Sequence, residues 1–343
     1  MNEINCYTTF DVYPIVWGAH IRPYYLTKEL ANIFKKNYNF INIKKLKLNF
    51  FKKDFISLFA TTSILNLPIF FIKKIRNVLV TDVSDDPFWQ SRDVGTKLPK
   101  EGGLLRVARF IQTRLSNCVC VGDMWLAKRI GIENFIEINN ASDPKHFKYS
   151  KLPKNKKVIY VGGISSGRGI EMLIDACNYV VENLNYNNFK VGIYGRCVDK
   201  NYRKLLLAKM SNVKFQIKWV ENVKYDDVPN ILKEAYLCIN VPKPNSYFDT
   251  GPNIKIFDYM ASGRPVIVSN CKAQANLIKK EKCGVVCNFT VESIGKAIYS
   301  LFKNRKLAEK FGRRGREAVE NRHSWYHRSL VLANYLKELV GGV

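Results

Sequence analysis

The sequence predicts an α/β protein made of two doubly wound parallel-sheet domains that face each other across a crevice. Three observations carry this reading. Short apolar runs recur along the chain with amphipathic runs between them, and strands that are apolar throughout, rather than alternating, belong to parallel sheets covered by helices on both faces. The chain has 343 residues, of which 47% are hydrophobic and 24% charged, a composition that supports a packed core and a length that divides into two domains. The alternation resets at 148–157, "KYSKLPKNKK", a polar, Lys- and Pro-containing stretch that reads as a linker. The expected domains are therefore 1–150 and 151–324.

In chain order, strand-like runs fall at 4–8, 78–82, 118–121 and 135–138 in the first half. Those of the second half fall at 158–162, 190–194, 213–218, 237–241, 265–269 and 284–286. Helix-like periodicity marks "PYYLTKELANIFKK", "LLRVARFIQTRL", "IEMLIDACNYVVENL" and "VESIGKAIYSLFKN". Residues 55–72, "FISLFATTSILNLPIFFI", are uncharged between lysine pairs. This run barely reaches spanning length and Pro68 interrupts it, so it reads as two buried elements broken at Leu67 and Pro68 or as a segment dipping into a membrane, not as a span. The amphipathic run from Trp325 carries Leu330 and Tyr335 as further apolar contacts.

The charge is strongly basic, 55 Lys and Arg against 29 Asp and Glu for a net of +26. Such a field attracts nucleic acid, anionic membranes and phosphorylated substrates alike. Nucleic-acid binding is set aside because the aromatics fall at periodic core positions and not interleaved with basics along a groove. The nine cysteines sit mostly within apolar runs and read as buried small hydrophobes in a reducing compartment. No zinc spacing is present; His323 and His327 are four apart on an expected helix without the glutamate such a motif needs, so no metal is expected. The N-terminus lacks the basic and apolar regions of an export signal, which predicts a cytoplasmic protein.

Two segments carry the chemistry. In "VIYVGGISSGRGIEML", 158–173, both the dinucleotide fingerprint and the Walker spacing fail. A glycine-rich turn with Arg168 at a helix N-terminus remains, either as an anion cradle or as a tight turn with a solvated arginine. In "NIKIFDYMASGRPVIVSN", 253–270, Lys255 and Asp258 share a helix side that follows the long polar loop "PKPNSYFDTG". Gly263 ends that helix and Pro265 opens a strand. The pair reads either as a surface ion pair or as groups facing a ligand at the sheet's carboxyl edge.

These segments, with "GIYG" at 192–195, "VPNILKEAYLCINVP", "KCGVVCN" at 282–288 and "IEINNASDPKHF" at 136–147, resemble the GT-B nucleotide-sugar glycosyltransferases of family 4. The resemblance runs from about 136 to 330 in family order. In the first 135 residues it rests on "GAHIRPYYLTKELA" and "DVSDDP".

The resemblance implies two Rossmann-like domains, the first binding acceptor and the second binding a nucleotide-diphosphate sugar, UDP- or GDP-linked. It implies that a C-terminal helix at about 325–340 packs back on the first domain. Asp258 stands where the family's carboxylate meets the nucleotide ribose, one methylene shorter than the usual Glu. Arg168 stands at the diphosphate, Gly163 stands where a second arginine is common, and Lys255 supplies the missing cation. Thr250 occupies the position of an acidic residue that touches the sugar. Gly162, Gly251 and Asn253 complete the implied donor site, and His20 and Arg22 the implied acceptor site.

The family is mostly retaining, hexosyl-transferring and without a cofactor, since fixed cations stabilise the leaving diphosphate. An inverting reaction would need a base, for which Asp85 of "VTDVSDDP" is the candidate, with a capping or turn role as its alternative. A catalytically degenerate binding protein is the alternative that Thr250 encourages. Lys44, Lys45, Lys47, Lys52 and Lys53 with Phe50, Phe51 and Phe55 predict peripheral attachment to an anionic leaflet. The resemblance implies that this leaflet is the inner face of the cell membrane and that the acceptor is a glycan or lipid-linked one.

Overall fold

Two six-stranded sheets, parallel throughout, organise the chain in a computed structural model that describes residues 3–13, 15, 18–45, 52–86, 91 and 102–340. The chain divides into two units. The first comprises Met1–Phe88, Lys97–Asn140 and Trp325–Val343, and the second Trp89–Thr96 and Ala141–Ser324.

The first unit's sheet runs β2-β1-β3-β4-β5-β6, from β1 (Glu3–Thr8), β2 (Asn37–Asn42), β3 (Ile56–Phe59), β4 (Val78–Val83), β5 (Cys118–Val121) and β6 (Ile136–Glu137). Its helices include α1 (Gly18–Phe34), α2 (Leu67–Lys74), α3 (Leu104–Leu115) and α4 (Met124–Ile130). β3 and β5 are buried at every residue, as a strand covered on both faces requires. The uncharged run 55–72 therefore contains a central strand and most of a helix. Pro68 lies in the first turn of α2, where the missing N–H costs nothing. Within this run Ile56, Leu58, Phe59, Ile69 and Phe70 are core, Leu65 and Phe71 are exposed, and the half-buried Phe55 packs against Phe34 at 5.3 Å between ring centroids. Lys47, Phe50 and Phe51 lie outside the described residues. Among the described residues no helix is long and apolar enough to cross a membrane.

A buried polar knot closes the lower end of this sheet. Asp54 accepts from Asn5 Nδ2 at 2.8 Å, Tyr7 Oη at 2.7 Å, Ser57 Oγ at 2.6 Å and Lys73 Nζ at 2.8 Å. An ion pair this deep persists because every lone pair is occupied.

The second unit's sheet runs β12-β11-β10-β7-β8-β9, from β7 (Lys157–Val161), β8 (Lys190–Tyr194), β9 (Gln216–Val220), β10 (Leu237–Asn240), β11 (Val266–Ser269) and β12 (Gly284–Cys287). Its helices are α5 (Ile170–Glu182), α6 (Lys200–Ser211), α7 (Val228–Lys233), α8 (Ile254–Ala261), α9 (Lys272–Glu281), α10 (Val291–Lys303) and α11 (Arg305–Asn321). The strand order reverses between β7 and β10, and in open α/β sheets such a switch point leaves a ligand crevice at the strands' carboxyl ends.

The stretch 148–157 is part of this unit rather than a free tether. Fully buried Arg264 donates to the carbonyls of Ala235 at 2.8 Å and of Ser150, Leu152 is core, and Arg305 holds the Leu152 carbonyl at 2.7 Å. Polar composition suggested a linker, but these carbonyls are satisfied by arginines distant in sequence.

The last helix, α12 (Trp325–Val340), belongs to the first unit and packs on α1. Trp325 stacks on Tyr25 at 6.0 Å with the rings 3° from parallel. Leu332, Ala333 and Leu336 are fully buried, whereas Tyr335 is exposed. His323 precedes α12 and donates from Nε2 to the Glu281 carboxylate at 2.9 Å, so it shares no helix with His327.

Candidate functional site

The glycine turn and the lysine helix meet at the switch point of the second sheet. β7 ends at Val161, and 162–169 turn into α5; β10 ends at Asn240, and a loop leads into α8. Gly162 has φ +140° and Gly169 φ +76°, conformations that a side chain disfavours. A Cβ on Gly169 would lie 1.8 Å from the Val241 carbonyl oxygen, so the start of α5 is pressed against the end of β10. A Cβ on Gly162 would lie 2.5 Å from Lys255 Nζ, which places the lysine head directly over the turn.

Lys255 and Tyr259, four apart on α8, both reach back to β7. Tyr259 Oη accepts from the Val161 N–H at 2.9 Å. Lys255 Nζ donates to Tyr160 Oη at 2.7 Å and sits 4.1 Å from that ring's centroid, while Tyr160 Oη donates to the Gly163 carbonyl at 2.7 Å. Burial, and then the neighbouring Arg168, hold the Lys255 pKa well below the ordinary lysine value. Arg168 also lies beside Tyr160 and 5.7 Å from the Phe248 ring. Two basic side chains thus share one small space with no carboxylate between them among the described residues, an arrangement complementary to a bound polyanion. Neither α5 nor α8 has a side-chain hydrogen bond at its N-cap, which leaves first-turn N–H groups for a ligand.

Asp258 is not on the open side with Lys255. It is 5% exposed and its Oδ1 accepts from Ser142 Oγ at 2.7 Å. Burial pushes its pKa up to about 8, against the lowering effect of the Ser142 hydrogen bond and with a small push from Asp143. The two-residue ion-pair reading is therefore wrong: lysine and aspartate have separate partners. Thr250 Oγ1 donates to the Tyr247 carbonyl at 2.7 Å, Gly251 has φ +45°, and Asn253 Oδ1 accepts from Asn240 Nδ2 at 3.3 Å. Gly163 is exposed at the turn.

In the first unit, three carboxylates follow one another at the end of β4. Asp82 is held by Arg22 through Nε at 2.8 Å and Nη2 at 2.7 Å, and Asp86 by Arg109 at 3.0 Å. Asp85 is the exposed one, its Oδ1 accepting from the Asp86 N–H. The expectation that His20 and Arg22 present themselves to an acceptor needs correction. Arg22 is 3% exposed, and although burial opposes its charge, Asp82 raises its pKa; His20 is buried and stacks on Phe10 at 5.1 Å. Among the described residues no group of three or more His, Cys, Asp or Glu is placed to hold a metal ion.

Sequence reasoning missed Tyr160, Tyr259 and Ser142. Lys255 and Tyr259 were readable as an i, i+4 pair. Ser142 carries no local signal, because it meets Asp258 from 116 positions away.

Residues 142–318, just over half of the chain, match the family described as "Glycosyl transferases group 1". The chain belongs to that family. A relative in Staphylococcus aureus (strain COL), poly(ribitol-phosphate) alpha-N-acetylglucosaminyltransferase, is 27% identical over 195 residues, 56% of this chain and 36% of that protein. The chain thus spans about a third of that relative's length. Among solved structures, sucrose-phosphate synthase from Thermosynechococcus elongatus is similar over 100% of both chains, with TM-score 0.72 and 14% identity. Anabaena HepE in complex with UDP-glucose is similar over 98% of this chain and 100% of its own, with TM-score 0.74 and 15% identity. The fold is GT-B.

Proposed function

We propose that this member of glycosyl transferases group 1 moves a hexosyl unit from a nucleoside-diphosphate sugar to a hydroxyl of a glycan or lipid-linked acceptor. The observation that carries the reading is the pair Arg168 and Lys255 over the Gly162 turn, two cations at a sheet switch point with a helix N-terminus beside them. A diphosphate leaving group develops charge as the glycosidic bond breaks, and fixed cations stabilise it without reorganising. UDP is the favoured nucleotide, in line with the UDP-glucose of the Anabaena structure. Gly162, Gly163, Thr250, Gly251 and Asn253 form the floor and rim of the donor site, and Asp258 lies behind it. The reaction is retaining and independent of added metal, and the protein works in the cytoplasm at the inner face of the cell membrane in polysaccharide or glycolipid synthesis. The basic charge of +26 suits a phosphate-bearing acceptor, in line with the poly(ribitol-phosphate) named for the staphylococcal relative.

Incubation with a panel of radiolabelled UDP- and GDP-sugars, with and without EDTA, tests this. Release or transfer of one sugar that survives EDTA and disappears in Arg168→Ala is the expected result. Binding of UDP without turnover of any donor would overturn the enzyme reading in favour of a sugar-nucleotide-binding protein. Asp85→Asn separates the stereochemical alternatives: a retaining enzyme keeps its turnover, and an inverting one that uses this base loses it.

A further inference from the structure

A cavity of about 320 Å3 lies along β2, the outermost of the described strands in the first unit's sheet, and its walls include Asp11, Tyr13, Tyr38, Asn39, Phe40 and Asn42. These residues belong to the first unit, whereas Arg168, Lys255 and Tyr160 belong to the second. Three rings stand in near-parallel succession beside the cavity. Tyr13 stacks on Tyr24 at 6.1 Å and Tyr24 on Phe40 at 5.7 Å, each pair tilted by 25°, and Tyr38 meets Phe40 edge-on at 5.6 Å. Tyr13 is 68% exposed, so the stack ends in a ring that water, rather than protein, largely covers.

Fixed polar groups accompany the rings. Asn39 Nδ2 donates to Asn5 Oδ1 at 3.1 Å, Asn42 Nδ2 donates to Asp11 Oδ1 at 2.9 Å, and Lys45 Nζ pairs with Asp11. These bonds orient both amides and the carboxylate and leave further capacity on each, because a carboxamide has two N–H groups and every such oxygen two lone pairs. Asparagine is disfavoured in strands, yet six-residue β2 has Asn37, Asn39 and Asn42, and a ligand for these amides accounts for the choice.

Aromatic faces beside oriented amides and a carboxylate match the two surfaces of a pyranose, its apolar C–H face and its rim of hydroxyls that both donate and accept. A quaternary ammonium also suits aromatic rings. Here, however, Lys28 lies 5.6 Å from the Tyr24 ring and Lys45 offsets the charge of Asp11, so the surroundings oppose a second cation. We propose that this cavity is a sugar-binding subsite that holds one unit of the acceptor glycan, stacked on Tyr13 and hydrogen-bonded to Asp11, Asn39 and Asn42. The proposal rests on the reading of the acceptor as a glycan. β1 and β3 separate β2 from β4, so at about 4.8 Å per strand the subsite lies roughly 14 Å from the carboxylates at the end of β4. The unit held there is remote from the hydroxyl that Asp85 would reach, and the subsite reads the body of the acceptor chain.

An array of neutral oligosaccharides built from hexose and N-acetylhexosamine units, probed with the full chain without donor, tests the proposal. Wild type is expected to bind a subset of them. Tyr13→Ala and Asp11→Ala should bind that subset at least about tenfold more weakly, whereas Tyr13→Phe keeps the ring and most of the binding. Both positions are exposed, so the melting temperature of each variant should remain that of wild type, and UDP affinity likewise. Wild type that binds no oligosaccharide, or Tyr13→Ala and Asp11→Ala proteins that bind as wild type does, would overturn the assignment. Choline binding that Tyr13→Ala abolishes would also overturn it and make the cavity a cation cage. Turnover of radiolabelled UDP- and GDP-sugars is followed separately: failure on the array leaves the transferase reading standing, and absence of turnover leaves the array result standing.

Discussion

Lys255 is held where its charge is least welcome, under burial and beside Arg168, and it donates to the neutral Tyr160 hydroxyl. A bound diphosphate reverses that balance and raises the lysine pKa toward its ordinary range, so binding takes up a proton. The expected outcome is that UDP titrations in two buffers of different ionisation heat show a proton uptake that grows as pH rises, and that affinity falls over the same range. Lys255→Met should abolish the uptake and weaken UDP by about 1.5–3 kcal/mol, the worth of a charge-assisted hydrogen bond. Asp258 makes the opposite kind of prediction. Its carboxyl keeps its proton to about pH 8 when folded, whereas an unfolded chain ionises it near 3.9. This group leaves folding unaffected below about pH 4, opposes it increasingly up to about 8, and opposes it by a constant amount above that. Asp258→Asn keeps an acceptor for Ser142 and removes the titration. Its melting temperature should match wild type near pH 4 and exceed it by a growing margin toward pH 8. An equal difference at both ends would show that Asp258 is not protonated in the folded protein.

At the scale of an element, the turn between β7 and α5 contains two glycines with different duties. Gly169 faces backbone: a Cβ there meets the Val241 carbonyl oxygen at 1.8 Å, and no side chain can relax to admit it. Gly162 faces the flexible end of Lys255. Gly169→Ala is therefore expected to cost several kcal/mol of stability, combining left-handed strain with a backbone clash. Gly162→Ala carries the backbone strain but displaces the lysine head, so UDP affinity should fall by more than stability does. Thermal melts and UDP calorimetry on both variants separate the two duties. The glycine pattern was legible in "VGGISSGRG", as was the switch from helix to strand at Gly263 and Pro265. β2 and β3 were not read as strands. "NYNFIN" forms an edge strand despite asparagines that disfavour β structure, and "ISLF" lay inside an uncharged run whose length imitated a membrane segment.

Over the whole molecule, chain order and spatial order part company at α12, which follows the entire second unit and yet packs on α1. Trp325 is 1% exposed against Tyr25, so Trp325→Ala should destabilise the first unit by about 3–5 kcal/mol. Hydrogen exchange should then accelerate in α1 and β1 while β7 and β10 keep their protection; uniform acceleration in both units would contradict the division. By itself the sequence determined the parallel α/β class, the second unit's strands, the glycine turn, and the lysine on its helix. Each of these is written in local periodicity or in residues whose backbone preferences act within a few positions. Only the tertiary structure decided that Asp258 is buried on Ser142, that Arg22 is spent on Asp82, that Arg264 binds the supposed linker, and that Tyr13 and Tyr24 stack toward Phe40 beside the outermost strand. The physical reason is range: burial and pairing depend on groups brought together from far along the chain, and no local pattern reports whether a polar residue will meet water or a partner.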